Sequence, residues 1–374
     1  MAGQRRRGRH ELRPGAIAIQ AAVLAIVLLL GTYLVHNTLV NMARQGIATG
    51  FGYLGREAAF EIGETLIPYS PADTYGRALL VGLLNTLQVA IIGIVVSTVF
   101  GTLIGIARMS SNWLVRKMAW AYVEILRNVP LLLQLIVWWD LLRVAAPPPR
   151  AAWQLAPHVF VSNRGLVFPT LVWSPVYLWM GVALVAALAA ARIVARGKKR
   201  AVAALAALLP LAVFFLGGAP FAWEVPELQG FNFSGGHTLS PEFAALLVGL
   251  IVYTAAFIAE IVRSGIEGVS RGQSEAAAAL GLNRRQTLQL IILPQALRIV
   301  IPPLIGEYLA LTKNSSLAIA IGYPDLTAIT YTTLNQTGQA VEAIALMMAI
   351  YLALSLMTSL IMNWYNARVA LVER

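Results

Sequence analysis

Cysteine is absent from the 374 residues. That excludes disulfides, thiolate nucleophiles, iron–sulfur clusters and cysteine-held zinc. Charge is scarce: Asp, Glu, Lys and Arg make up 12% of the chain, about half the share in an average soluble domain. Histidine is rare, and His10, His36, His158 and His237 are scattered through tails and loops without metal-ligand spacing. A phosphate loop of the form G-x-x-x-x-G-K-[ST] is also missing, because the Gly197-Lys198-Lys199 run lacks its glycine and hydroxyl partners. ATP hydrolysis by this chain is thereby excluded.

What the chain has instead is apolar surface. Hydrophobic residues make up 58% and the mean hydropathy is +0.71, values that belong to an integral membrane protein. The net charge of +11 lies in short groups between apolar runs, with no basic face carrying interleaved aromatics, so nucleic acid is not an expected partner. Arg5, Arg6, Arg7, Arg9 and Arg13 precede an apolar run from Ala16 to Val35. That run is longer than the core of a cleaved signal peptide, and it is expected to stay as a membrane span.

Runs of about 18 or more apolar residues fall near 16–35, 79–106, 120–143, 175–195, 201–219, 241–262, 299–322 and 340–362. This predicts about eight spans. With the N-terminus inside, the inner segments hold Arg108, Arg116 and Lys117, the Arg192 to Arg200 group, Arg263, Arg271, Arg284, Arg285, Arg298, Arg368 and Arg374. That is about 20 cations inside against about six outside, a positive-inside bias that places both termini in the cytoplasm.

The outer loops differ in kind. Residues 37–76 are long and glycine-rich, with Glu57, Glu61 and Glu64, and are expected to hold an interfacial amphipathic helix. Residues 146–174 are rich in proline and aromatics. The runs 175–195 and 201–219 are almost pure Ala, Leu and Val, which suits lipid-facing helices and marks about 146–240 as an insertion carrying a helical hairpin.

The stretch from Glu275 to Pro294, EAAAALGLNRRQTLQLIILP, is polar and basic yet lies between two spans. Ser274 is expected to cap a short helix, followed by the strong helix formers Ala276 to Ala279. Gly281 supplies a left-handed stop. Asn283 and Gln286 have capping-box spacing for a second helix, which runs through Ile291 and Leu293 to Pro294. A mere turn needs none of this; two short helices at an angle form a docking element. Glu275, Ala276 and Ala277, then Gly281, then Ile291, Leu293 and Pro294, between two spans on the positively charged side, resemble the signature loop of permease subunits of bacterial ATP-binding-cassette importers. The resemblance implies that the first helix is the coupling helix, seated in a groove on a separate ATPase subunit.

Two further segments, EILRNVPLLLQLIVW at 124–138 and GEYLALTKNSSLAIAIGYPDL at 306–326, resemble the polar amino-acid uptake branch, of histidine/glutamine/arginine type. Asn128-Val129 departs from that branch's usual pattern after the arginine. This departure, the extra N-terminal span and the insertion are similar to general L-amino-acid permease subunits. Independently, Glu307, Lys313, Asn314, Ser315 and Ser316 lie in one span, where ionisable groups are costly and face a cavity or each other. Glu307 and Asn314, seven apart, share a helix face, and Lys313 lies on another. A functional or gating role is favoured for Glu307 and Lys313. For Asn314, Ser315 and Ser316, lining a path and bonding between helices stand as equal readings. Gln134 is a further path candidate, and Glu124 and Arg127 are expected to form a local ion pair.

The expected fold is an all-α integral membrane protein with a MetI-like type-1 permease core, an extra N-terminal helix and an inserted helical hairpin. The expected division is 1–78 (tail, first span and outer segment), 79–365 (permease domain) and 366–374 (tail). The resemblance implies three partners in the bacterial inner membrane: the ATPase, a second permease subunit that makes a homodimer or heterodimer, and a periplasmic amino-acid-binding protein. Membrane lipid surrounds the spans, and no cofactor is implied. The competing readings are an ion-coupled secondary transporter using Glu307 and Lys313, a membrane-embedded enzyme on lipid-linked substrates, and a scaffold subunit.

Overall fold

The computed structural model describes residues 14–46, 49–194, 208–218 and 221–369. The N-terminal arginine cluster, the basic group around Lys198, the first half of the 201–219 run and the C-terminal tail lie outside them. The described chain is mostly helical. Its α-helices are α1 (Pro14–Arg44), α2 (Tyr75–Ala107), α3 (Trp113–Asn128), α4 (Leu131–Asp140), α5 (Pro175–Val194) and α6 (Leu209–Leu216). They continue with α7 (Pro241–Glu267), α8 (Arg271–Ala279), α9 (Arg284–Gln286), α10 (Leu293–Asn314), α11 (Leu326–Thr337) and α12 (Ala340–Val369).

Among the described residues, five helical stretches are long and apolar enough to cross a membrane: Ala18–Arg44, Tyr75–Ala107, Pro241–Glu267, Arg284–Ile321 and Ala340–Asn366. A sixth arises if α3 and α4 count as one span. The eight expected spans are therefore not all found. The shortfall lies in the insertion, where the apolar part of α5 is short, Pro175–Ala187, and the described part of the next run holds only the short helix Leu209–Leu216.

The expected span at 120–143 is two helices meeting at 104°. Pro130 prevents the first helix from continuing. The buried Gln134 side chain braces the corner, its amide donating to the Leu126 and Val129 carbonyls, both at 2.9 Å. Those carbonyls lie where the ordinary helical ladder is interrupted, and a side-chain donor takes its place.

The core of the bundle is α2 against α7. Gly101 and Gly105 form a small-residue seam one turn apart. A Cβ on Gly101 would lie 2.8 Å from the Ala255 carbonyl oxygen, and one on Gly105 would lie 2.7 Å from that of Ala259. Backbone thus meets backbone, and no side chain fits between. Leu131 and Leu135 of α4 pack with Phe243, Leu246 and Leu250 of α7 and with Ile321 and Tyr323. By contrast, α1 buries none of its most apolar stretch against the rest of the chain.

Segment 37–76 begins with the last turns of α1, and its further described residues hold one 3-10 turn, Phe51–Gly55, in place of the expected amphipathic helix. The segment is pinned to the bundle: the Gly50 N–H donates to Glu342, and Asn85 donates to the Glu64 and Pro324 carbonyls. Glycines at positions 46, 50, 52 and 55 disfavour a long helix here.

The insertion departs most from the all-helical expectation. Its helices α5 and α6 are flanked by eight short strands. They are β1 (Trp153–Ala156), β2 (Val159–Ser162), β3 (Gly165–Phe168), β4 (Thr170–Leu171), β5 (Trp223–Glu224), β6 (Glu227–Gln229), β7 (Asn232–Ser234) and β8 (His237–Leu239). A four-stranded antiparallel sheet runs β1-β2-β3-β8, and β4 pairs with β5. Valine and aromatics in these loops favour strands. The two flanks, far apart in sequence, close on each other.

Candidate functional site

The docking element is built from local signals. Helix α8 begins after Ser270, four residues earlier than expected, so Ser274 lies inside it. It ends in a Schellman motif: the Leu282 N–H bonds the Ala277 carbonyl and the Gly281 N–H bonds that of Ala278. Gly281 sits at φ +75°, where a Cβ would be strained. The Asn283–Gln286 capping box is complete, with both reciprocal bonds formed. A π-helical stretch, Thr287–Ile292, then runs into Leu293 and Pro294 at the start of α10.

Only Ala277 of α8 is buried; Glu275 and Ala276 face outward. Gln273 and Gln295 join the two arms at 3.4 Å. At the tip Leu280 is 80% exposed. The sequence reading missed Leu280, although a leucine before a glycine stop is a visible signal. A large apolar side chain beside a rigid, small-residue helix is a ready anchor for a protein groove.

Residues 97–371 match the family of the binding-protein-dependent transport system inner membrane component. The chain belongs to this family. It is a multi-pass permease and a transport component, not an enzyme. It is 49% identical over 367 residues to the general L-amino acid transport system permease protein AapQ of Rhizobium johnstonii, covering 94% of this chain and 92% of the relative. A putative amino-acid ABC transporter permease, YhdX of Escherichia coli, is 48% identical over 94% of this chain and 93% of its own length. The glutamate/glutamine/aspartate/asparagine permease BztB of Rhodobacter capsulatus is 40% identical, covering 98% and 96%.

At membrane depth the residues expected on a path divide. Asn314, Ser315 and Ser316 mark the point where α10 gives way to a 3-10 turn, Ser315–Ile321, closed by Gly322 at φ +80°. Ser315 is fully buried and its hydroxyl donates to the Thr312 carbonyl at 2.8 Å. Asn314 and Ser316 are half-buried. Lys313 is exposed, and no hydrogen bond or ion pair joins it to Glu307. Gln134 is the brace at the α3–α4 corner.

Glu307 has different company. Arg127, from the end of α3, lies within electrostatic reach of the Glu307 carboxylate, without an ion pair between them. The Arg127 guanidinium sits 5.1 Å above the Phe257 ring, which packs against Tyr253 at 4.9 Å. The expected Glu124–Arg127 ion pair is not formed; Glu124 instead accepts from Asn128 at 3.4 Å. The sequence reading missed the link between Arg127 and Glu307 because 180 residues separate them. Arg127 is exposed and Glu307 half-buried, so this patch of opposite charges opens on the flank of the bundle.

The end of the bundle where α7 begins is acidic. A cavity of about 450 Å³ is lined by Glu61, Glu64, Ser240, Glu242, Pro324 and Thr332, among others. The Ser240 hydroxyl donates to Glu64 at 2.7 Å. Burial pushes the Glu64 carboxyl above its ordinary range, and the Ser240 bond opposes that rise.

Proposed function

We propose that this chain is the permease half of an ATP-driven importer of L-amino acids in the bacterial inner membrane. Its termini face the cytoplasm, and α8 is its contact with a separate ATPase. The observation that carries the reading is the docking element: a capped helix with an exposed leucine tip, rigidly joined through a π-helical stretch to a membrane span. Movement of α8 is passed directly to α10, which carries Glu307 and the Asn314 break. The substrates named for its relatives support amino acids.

An amino acid presents one ammonium and one carboxylate. Glu307 and Arg127 offer the matching charges, with Tyr253 and Phe257 as an apolar wall. The patch is open on one side, so a second permease subunit is needed to enclose the path. The acidic end of the bundle is the outer mouth and receives substrate from a periplasmic binding protein. The insertion and the extra first helix favour a heterodimer. Ser315, Ser316 and Asn314 hold the helix break at the path, and Lys313 faces away from Glu307.

The test is uptake into proteoliposomes containing the chain with its ATPase, second permease and binding protein. Uptake is expected only with all of them and with ATP. Uptake that persists without the ATPase and follows a proton gradient would overturn the reading in favour of a secondary transporter.

A further inference from the structure

We propose that the end of the bundle nearest α8 carries a binding site for the phosphate headgroup of an anionic phospholipid. A cavity of about 300 Å³ lies between the end of α2, the first half of α3 and the end of α7. It is lined by Arg108, Trp113, Arg116, Lys117, Trp120, Arg263 and Glu267. The α3 members recur at i, i+3, i+4 and i+7, so one face of that helix forms a wall.

Charge identifies the ligand. Arg108 and Arg263 are paired with Glu260, and Arg263 is paired also with Glu267. Among the described residues Arg116 and Lys117 have no carboxylate partner: the Arg116 Nη1 donates to the Ser110 carbonyl at 3.1 Å, and the Lys117 Nζ lies 4.1 Å over the Trp120 ring. Four cations, Arg108, Arg116, Lys117 and Arg263, against two carboxylates, Glu260 and Glu267, leave two positive charges facing a cavity. An anion is the complement, and a phosphate takes charge-assisted bonds from both free groups.

The surroundings select a lipid over a free anion. Leu114, Met118 and Ile125 of the same helix are 57%, 66% and 61% exposed. They form a second stripe about 120° round from the cavity wall at about 100° per residue. Among the described residues nothing covers that stripe. Trp113, one of the wall residues, is 65% exposed, and tryptophan is enriched where a membrane meets water. Helix α3 thus offers a phosphate site on one face and an acyl-chain track on the next, as a basic pocket between membrane helices does for an acidic lipid. Helix α7 ends at this cavity and leads through Gly268–Ser270 into α8, so the lipid would sit beside the base of the docking element.

The test is native mass spectrometry of the full-length chain, taken from bilayers of phosphatidylglycerol or of phosphatidylcholine. The wild type is expected to retain phosphatidylglycerol through a delipidating wash. R116Q/K117Q is expected to lose it by roughly tenfold or more. R116K/K117R, which keeps the charge, retains it. R284Q/R285Q, which removes the same charge from the docking loop, also retains it. Equal retention in wild type and R116Q/K117Q overturns the proposal, as does an equal loss in R284Q/R285Q or equal retention of the zwitterionic lipid. Displacement by millimolar inorganic phosphate overturns the lipid source. Should the double variant fail to assemble, R116Q and K117Q singly give the same reading. None of these outcomes depends on transport, so a failed uptake assay and a failed lipid site remain distinguishable.

Discussion

The second arm of the docking element and Glu307 lie on one continuous helical stretch, Arg284–Ile321, yet the element and the patch around Glu307 are specified in different ways. The docking element is written mostly locally: its capping bonds join residues within about two turns, each with a residue type fitted to it, and the Gln273–Gln295 bond ties its two arms. The patch is assembled from α3, α7 and α10, and no short window contains it. Local devices tolerate isolated changes, and each contributes about 1 kcal/mol. An assembled charge patch in a membrane fails when one member is lost, because the remaining charge is left without its complement.

The sharpest way to break this contrast is at the exposed face of α8. E275R/L280E is expected to lower ATP-driven uptake by roughly a hundredfold, since anchor residues at a docking surface each cost about 2 kcal/mol or more. Insertion and melting temperature should be unchanged, because Glu275 and Leu280 face outward. A lowered melting temperature would show that the helix face is structural. Next in size is the patch. R127A and E307A should each reduce uptake about tenfold or more without affecting copurification of the ATPase. The swapped pair R127E/E307R should recover part of that loss. If the swap is no better than the product of the single losses, the two side chains do not act together.

A third test concerns Asp325, in the turn after the 3-10 stretch. It caps α11 through the Ala328 N–H at 2.8 Å and accepts from Tyr351 at 3.2 Å. Burial raises its carboxyl to about 6 from the ordinary 3.8. An acid with a raised value holds its proton more tightly folded than unfolded. Its contribution is therefore full below 3.8 and is lost as pH rises to about 6. The effect is about 3 kcal/mol at most. Melting curves should show the wild type losing stability relative to D325N across that window, since asparagine keeps the cap and cannot titrate. A constant difference would remove Asp325 as the cause. The smallest effect is expected at Asn283: N283A should cost about 1 kcal/mol and partly loosen α8 from its ATPase. A cost several times larger would mean that the docking element is less local than its bonds suggest.

The same contrast explains what could be read from the sequence. Gly281, the Asn283–Gln286 box and the long apolar runs state their geometry within a few residues, so the docking element and most spans were legible. Ser274 misplaced the start of α8 because the chain offers two serines, and Ser270 lies nearer the end of α7. Composition alone does not reveal a right-angled corner, so 120–143 read as a single span; Pro130 was visible as a place where it bends or starts, but the Gln134 brace was not. The strands of the insertion pair across an intervening hairpin, and β3 has no sign of β8 in its neighbourhood. Arg127 read as the partner of Glu124 because helical spacing was the only geometry on offer.

The pairing of the insertion's two flanks also bears on chain surgery. Leu171 stands opposite Trp223, and Leu166 opposite Leu239. The polypeptide therefore leaves and rejoins the bundle through adjacent antiparallel positions. Cutting between Leu171 and Trp223 would leave two strand ends that a tight turn can bridge. Foreign sequence spliced at the same point would reach the bundle through ends already held together, so a tag or reporter could be carried there without stretching the helices beneath it.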